Sequence, residues 1–93
     1  MVTLYEIIEK EVIKDLVFPG KEVLETNEAI GDRHMELRRA LSLGNLEHLK
    51  TKIYFEDDSS RKVVETTIWG VTENQVILKQ GTVIPIHRIY KSQ

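Results

Sequence analysis

Leu49-Lys50-Thr51-Lys52-Ile53-Tyr54-Phe55-Glu56 alternates at period two. The alternation puts Leu49, Thr51, Ile53 and Phe55 on one face of a strand and Lys50, Lys52, Tyr54 and Glu56 on the other. Asp57-Asp58-Ser59-Ser60 then reads as a polar hairpin connection. The next strand pattern, residues 61–72, is roughly twice the usual strand length. Gly70 lies near its end and has no side chain to resist a bend, so this strand can serve two sheets. Glu73-Asn74 turns the chain into a third strand, 75–79, and Gln80-Gly81 into a fourth, 82–86. Pro85 offers no amide to a ladder, so the fourth strand is expected to end there or lie at an edge, before a short fifth strand at 89–92. Five such strands predict a small β-barrel over residues 48–93.

The preceding residues read as helical. Thr3 and Glu6 fit a capping box, and Leu4, Ile8, Val12 and Leu16 recur every fourth residue with Ile13 and Val17 beside them. That stripe predicts a first helix ending at Phe18-Pro19-Gly20. A second helix is predicted from Thr26 or Asn27, both good caps, to Leu43, with Gly44 and Asn45 as its stop. Gly31 costs about 1 kcal/mol relative to alanine inside a helix, so a start at Asp32 is the alternative. Leu37, Ala40 and Leu41, with Ile30 or Met35, form its expected buried side. The two helices would cover an open end or face of the barrel, giving an α+β domain in one piece, residues 1–47 helical and 48–93 barrel.

A chain of 93 residues is expected to form one domain, since smaller pieces could not bury a sufficient core. Its 41% hydrophobic and 30% charged content is that of a soluble globular protein. No apolar run approaches the roughly 20 residues of a membrane span, and Glu6, Glu9 and Glu11 interrupt the region where an export signal would be apolar. With no cysteine, disulfides and thiolate chemistry are excluded, and a cytoplasmic location is expected. The net charge of −2 is uneven: residues 1–47 hold six Lys/Arg against ten Asp/Glu, and residues 48–93 seven against five. Neither half carries the dense cationic clustering of a protein held by many phosphates.

No catalytic, cofactor or metal site is expected. His34, His48 and His87 lack metal-ligand spacing, and no serine sits in a nucleophile elbow or beside a histidine. Asp57 and Asp58 read as solvent-facing turn formers rather than an acid–base pair. Trp69 reads as a core or helix-packing ring rather than a base-stacking platform. Two clusters stand out as candidate nucleic-acid or partner contacts. Lys50, Lys52 and Tyr54 place a ring between two cations on the outer parity of the first strand, and His87, Arg88, Tyr90 and Lys91 close the chain. Glu28, Asp32 and Glu36 fall at i, i+4 and i+8, a solvated face whose sharper reading is an acidic docking strip for a basic partner.

The five strands, the long glycine-bent second strand and Ile84-Pro85-Ile86-His87-Arg88-Ile89 resemble the Sm-like, or SH3-like, barrel over residues 49–91. Helical residues before such a barrel are similar to the Rho-binding antiterminators. Leu43-Gly44-Asn45-Leu46, Val64-Glu65-Thr66-Thr67-Ile68-Trp69-Gly70 and the Ile84–Ile89 segment are also similar to a family of short bacterial proteins typical of Bacteroidetes. The resemblance implies two helices packed on a five-stranded antiparallel barrel. It also implies a non-enzymatic binding module for a protein partner, such as a component of the transcription or RNA machinery, with RNA or single-stranded nucleic acid as the alternative ligand. The chain departs from RNA-binding Sm proteins where Thr72-Glu73-Asn74-Gln75 puts an acid in place of their phosphate-facing loop. Sm-like proteins form rings through free strand edges; Pro85 obstructs that pairing, so a monomer or dimer is expected.

Overall fold

A computed structural model describes residues 4–93 and shows an α+β fold of one long helix and seven strands in two sheets. The four-stranded sheet runs in the order β1 (Glu6–Ile7), β3 (Arg61–Thr66), β2 (Thr51–Glu56) and β7 (Ile89–Ser92). The three-stranded sheet orders β4 (Ile68–Val71), β5 (Gln75–Leu78) and β6 (Val83–Pro85). Helix α1 (Asn27–Glu47) packs against β4 and β7. Ile53 and Phe55 of β2 point inward as their period requires. They join Val64, Ile68, Val76, Leu78, Ile84 and Ile89 from the other strands, Leu37 and Ala40 from α1, and Ile13 in one buried cluster.

The closed five-stranded barrel behind two helices is not formed. The long strand expected at 61–72 breaks at Thr67 rather than bending at Gly70, so β3 and β4 belong to different sheets. The cause lies in α1: a Cβ on Gly44 would stand 2.6 Å from the Ile68 carbonyl oxygen and 3.2 Å from Thr67 Cγ2, so only glycine lets the helix axis come this close to the break. Gly44 is thus a contact point inside the helix instead of its stop. The helix continues to Glu47 and is capped by His48 in the left-handed region, φ 56°, whose amide donates to the Gly44 carbonyl. At the other end Thr26 is the N-cap, accepting from the Ala29 amide at 3.1 Å. The helix is continuous through Gly31.

The predicted first helix is absent as well. Thr3 of its capping box lies outside the described residues. Leu4 is 83% exposed, Glu6–Ile7 run parallel to β3, and Lys10–Asp15 form a 3₁₀ helix. Ile8, Ile13, Leu16 and Phe18 are the side chains that reach the core, a spacing no single α-helical face supplies. The open edge of β3 accounts for the change: Ile8 donates its amide to the Val63 carbonyl at 3.0 Å, and this extended segment covers an edge that would otherwise stay unpaired. Its β-branched residues suit that backbone. Among the expected buried residues of α1, Leu37 and Ala40 are buried and Leu41 packs on the core, while Met35 faces solvent. Trp69 is also exposed, at 53%; a register shift between Ile68 and Gly70 turns it away from the core. Pro85 closes β6 at the edge of its sheet. Among the described residues no helix is long and apolar enough to cross a membrane.

Candidate contact surface

The outer parity of the four-stranded sheet brings together residues that lie far apart in sequence. Register pairs Lys52 with Glu65, Tyr54 with Val63 and Glu56 with Arg61 across β2 and β3. On the other side of β2, Tyr54 pairs with Lys91, and Ile7 of β1 lies beside Val63. Tyr5, just before β1, sets its ring edge-on to Tyr54 at 4.9 Å and to Tyr90 at 6.2 Å. Lys91 Nζ stands 4.9 Å from the Tyr54 ring centre and the Arg61 guanidinium 5.0 Å from that of Tyr90. Beside these rings lies a groove of about 450 Å³ lined by Tyr5, Ile7, Lys52, Tyr54, Val63 and Glu65, at whose rim Ile7 is 86% exposed. A sheet face combining half-buried tyrosines, an exposed isoleucine and cations held on rings has the composition of a protein contact core.

Two candidate clusters from the sequence therefore meet in part. Lys52, Tyr54, Tyr90 and Lys91 belong to this face; Lys50 is exposed just before β2. His87 and Arg88 do not belong to it. Arg88 is 5% exposed and gives its guanidinium to the backbone carbonyls of Glu56 (3.0 Å), Lys21 (2.8 Å) and Asp57 (3.3 Å). His87 Nε2 lies 2.9 Å from the Pro19 carbonyl, and its own carbonyl accepts from the Val23 amide. Both residues staple the segment between the 3₁₀ helix and α1 onto the end of β6. The acidic strip divides too: Glu28 and Asp32 are exposed, whereas Glu36 is half-buried and accepts from the Ser92 amide at 3.1 Å.

Several consequential residues escaped the sequence reading. Arg33 is buried under α1, where it makes a bidentate pair with Glu22 at 2.7 Å and donates to the Ile89 carbonyl at 3.0 Å. Burial alone would raise the Glu22 carboxyl, but the Arg33 hydrogen bonds and the Leu24 amide win and leave it lowered. Asp57 is 3% exposed, not solvent-facing. It accepts from the Ser59 and Ser60 amides at 3.1 and 2.9 Å and from Lys62 Nζ at 3.0 Å. Burial works against its ionisation, yet these donors outweigh it and hold the carboxyl at about 2. Glu56 accepts a hydrogen bond from the Tyr90 hydroxyl, and this with Arg61 and Arg88 lowers its carboxyl against a burial that opposes them. The Tyr5 and Ile7 contribution had no clear signal, because Leu4-Tyr5-Glu6-Ile7-Ile8 lacks the alternation of apolar and polar residues that marks a strand.

Lys62 Nζ also lies 2.6 Å from Ser60 Oγ, the spacing of a lysine-activated nucleophile. Such a lysine must be neutral to take the serine proton. Here burial pulls the ammonium down, but Asp57 and Glu6 more than offset it, and its pKa is raised. The pair therefore ties the hairpin together and does not activate Ser60. Among the described residues no group of three or more His, Asp and Glu side chains could hold a metal ion. Comparison of the chain with protein-family models, with curated proteins and with solved structures finds no match to any of them.

Proposed function

We propose that this protein is a non-enzymatic interaction module that docks a protein partner on the outer face of the four-stranded sheet. The observation that carries this reading is Ile7, 86% exposed beside the Tyr5–Tyr54–Tyr90 cluster, which together make an apolar and aromatic patch. Lys52 and Lys91 at its rim favour a partner offering an apolar side chain flanked by carboxylates. The resemblance to Rho-binding antiterminators points to a partner from the transcription or RNA machinery of a bacterial cytoplasm, but it rests on a helix-capped closed barrel that the chain does not form, so the sheet face carries the proposal without it. Capture from cells of the source organism by wild type, Ile7→Asp and Tyr54→Ala in parallel tests it. A partner retained by wild type and lost from both variants is expected; an identical set from all three contradicts the proposal.

Direct binding of single-stranded nucleic acid is the second reading, favoured by the Lys91–Tyr54 contact beside Lys52. Glu65 across from Lys52 and the acidic balance of the chain weigh against it. A mixed-sequence oligonucleotide retained in a salt-dependent way and released by Lys52→Glu would favour it over the first. No retention at low salt would end it.

A further inference from the structure

The solvent side of α1 carries Glu28, Asp32, Met35, Arg39, Ser42 and Leu46, at alternating intervals of four and three residues. That interval is the 3.5-residue period of a helix–helix seam. It lies opposite the side buried in the fold, which is marked by Arg33, Leu37, Ala40 and Gly44. Met35 and Leu46 on this stripe are exposed at 63% and 81%. Its charges are segregated, acids in the first turns and Arg39 beyond the middle. Among the described residues Glu28, Asp32 and Arg39 take part in no ion pair. A Cβ on Gly31 would meet nothing within 4 Å, so the helix backbone beside Asp32 is open to solvent.

We infer that this stripe pairs with the same stripe of a second copy, the two helices running antiparallel about a two-fold axis near Met35 and Glu36. Such an axis sets Asp32 of each copy opposite Arg39 of the other, two equivalent ion pairs in one isologous contact. It also brings the Met35 side chains together at the centre, with the space at Gly31 next to the incoming guanidinium. A parallel arrangement would set acid on acid and arginine on arginine, so the charge pattern selects the antiparallel one. Asp32 thus finds its basic partner in another copy of the chain. With only two apolar positions the dimer is weak, and its ion pairs are screened by salt.

Sedimentation equilibrium of the full chain over a wide concentration range tests the inference. A monomer–dimer equilibrium that weakens with salt is expected. Asp32→Arg and Arg39→Asp, both at exposed positions, each turn two attractive pairs into two repulsive ones, and each should raise the dissociation constant about tenfold or more. An equimolar mixture of the two variants regains both pairs and should dimerise again as a heterodimer. A wild type that stays monomeric at low salt, a dimer indifferent to either variant, or a mixture that fails to associate would each overturn it.

Discussion

Cations occupy two contrasting regions of this protein. Under α1 and at the end of β6, Arg33 and Arg88 are buried and spend their donors on Glu22 and on backbone carbonyls of distant segments. On the outer sheet face, Lys91 and Arg61 lie over tyrosine rings, with Lys52 at the groove rim. The difference teaches that a cation's neighbours decide its work. The buried guanidinium groups donate to the carbonyls of Lys21, Glu56, Asp57 and Ile89, and so tie together segments distant in sequence. Lys91 is exposed over the half-buried Tyr54 ring, so it keeps part of its hydration and can meet a partner.

The largest expected effect comes from removing an inward cation. Arg88→Ala leaves three backbone carbonyls without this donor, and unfolding by denaturant should show a loss of about 3–5 kcal/mol. For a small domain that is a large fraction of total stability. A loss below about 1 kcal/mol would erase the contrast between the two regions.

Next comes the contrast between the two glycines of α1. Gly44→Ala drives a methyl group into the Ile68 carbonyl and should cost about 1–3 kcal/mol. Gly31→Ala meets open space on a regular helix and should instead stabilise by about 1 kcal/mol. Equal effects of the two would mean that α1 does not pack on the Thr67 break as described.

Asp57 gives the same contrast a pH dependence. Its carboxyl is held at about 2 in the fold against 3.8 ordinarily, so the folded state favours the charged form. The associated stabilisation, about 2 kcal/mol, is fully present above the ordinary value and disappears as pH falls through about 2. Asp57→Asn should flatten this part of the stability profile, while removal of the exposed neighbour Asp58 should leave it. On the outer face, Tyr54→Ala and Lys91→Ala should cost the least in stability, because Tyr54 is only half-buried and Lys91 is exposed.

The regions also differed in how much their sequences disclosed. The strands at 51–56, 75–78 and 89–92 were legible because their alternation or turn residues act locally, as at Gln80 and Gly81, whose φ angles are 73° and 89°. Residues 4–16 were misread since the four-residue recurrence of Leu4, Ile8, Val12 and Leu16 matches a helix, while the decisive interaction is a distant edge, that of β3. The break at Thr67 likewise depends on a helix glycine 23 positions away. In the candidate surface, Lys52 and Tyr54 could be read from strand parity. Their convergence with Tyr5 and Lys91 required the pairing of β2 with both neighbours. Arg88 was misassigned because a cation's sequence position does not disclose which carbonyls it donates to.

Site-specific photo-crosslinking in cells tests the contact surface most directly. A photoreactive amino acid replacing Ile7 at the groove rim should give a discrete adduct with one protein, and the same probe replacing the exposed Asp58 should not. Adducts of equal yield and identity from both positions, or none from position 7, would contradict the assignment of this sheet face as the docking surface.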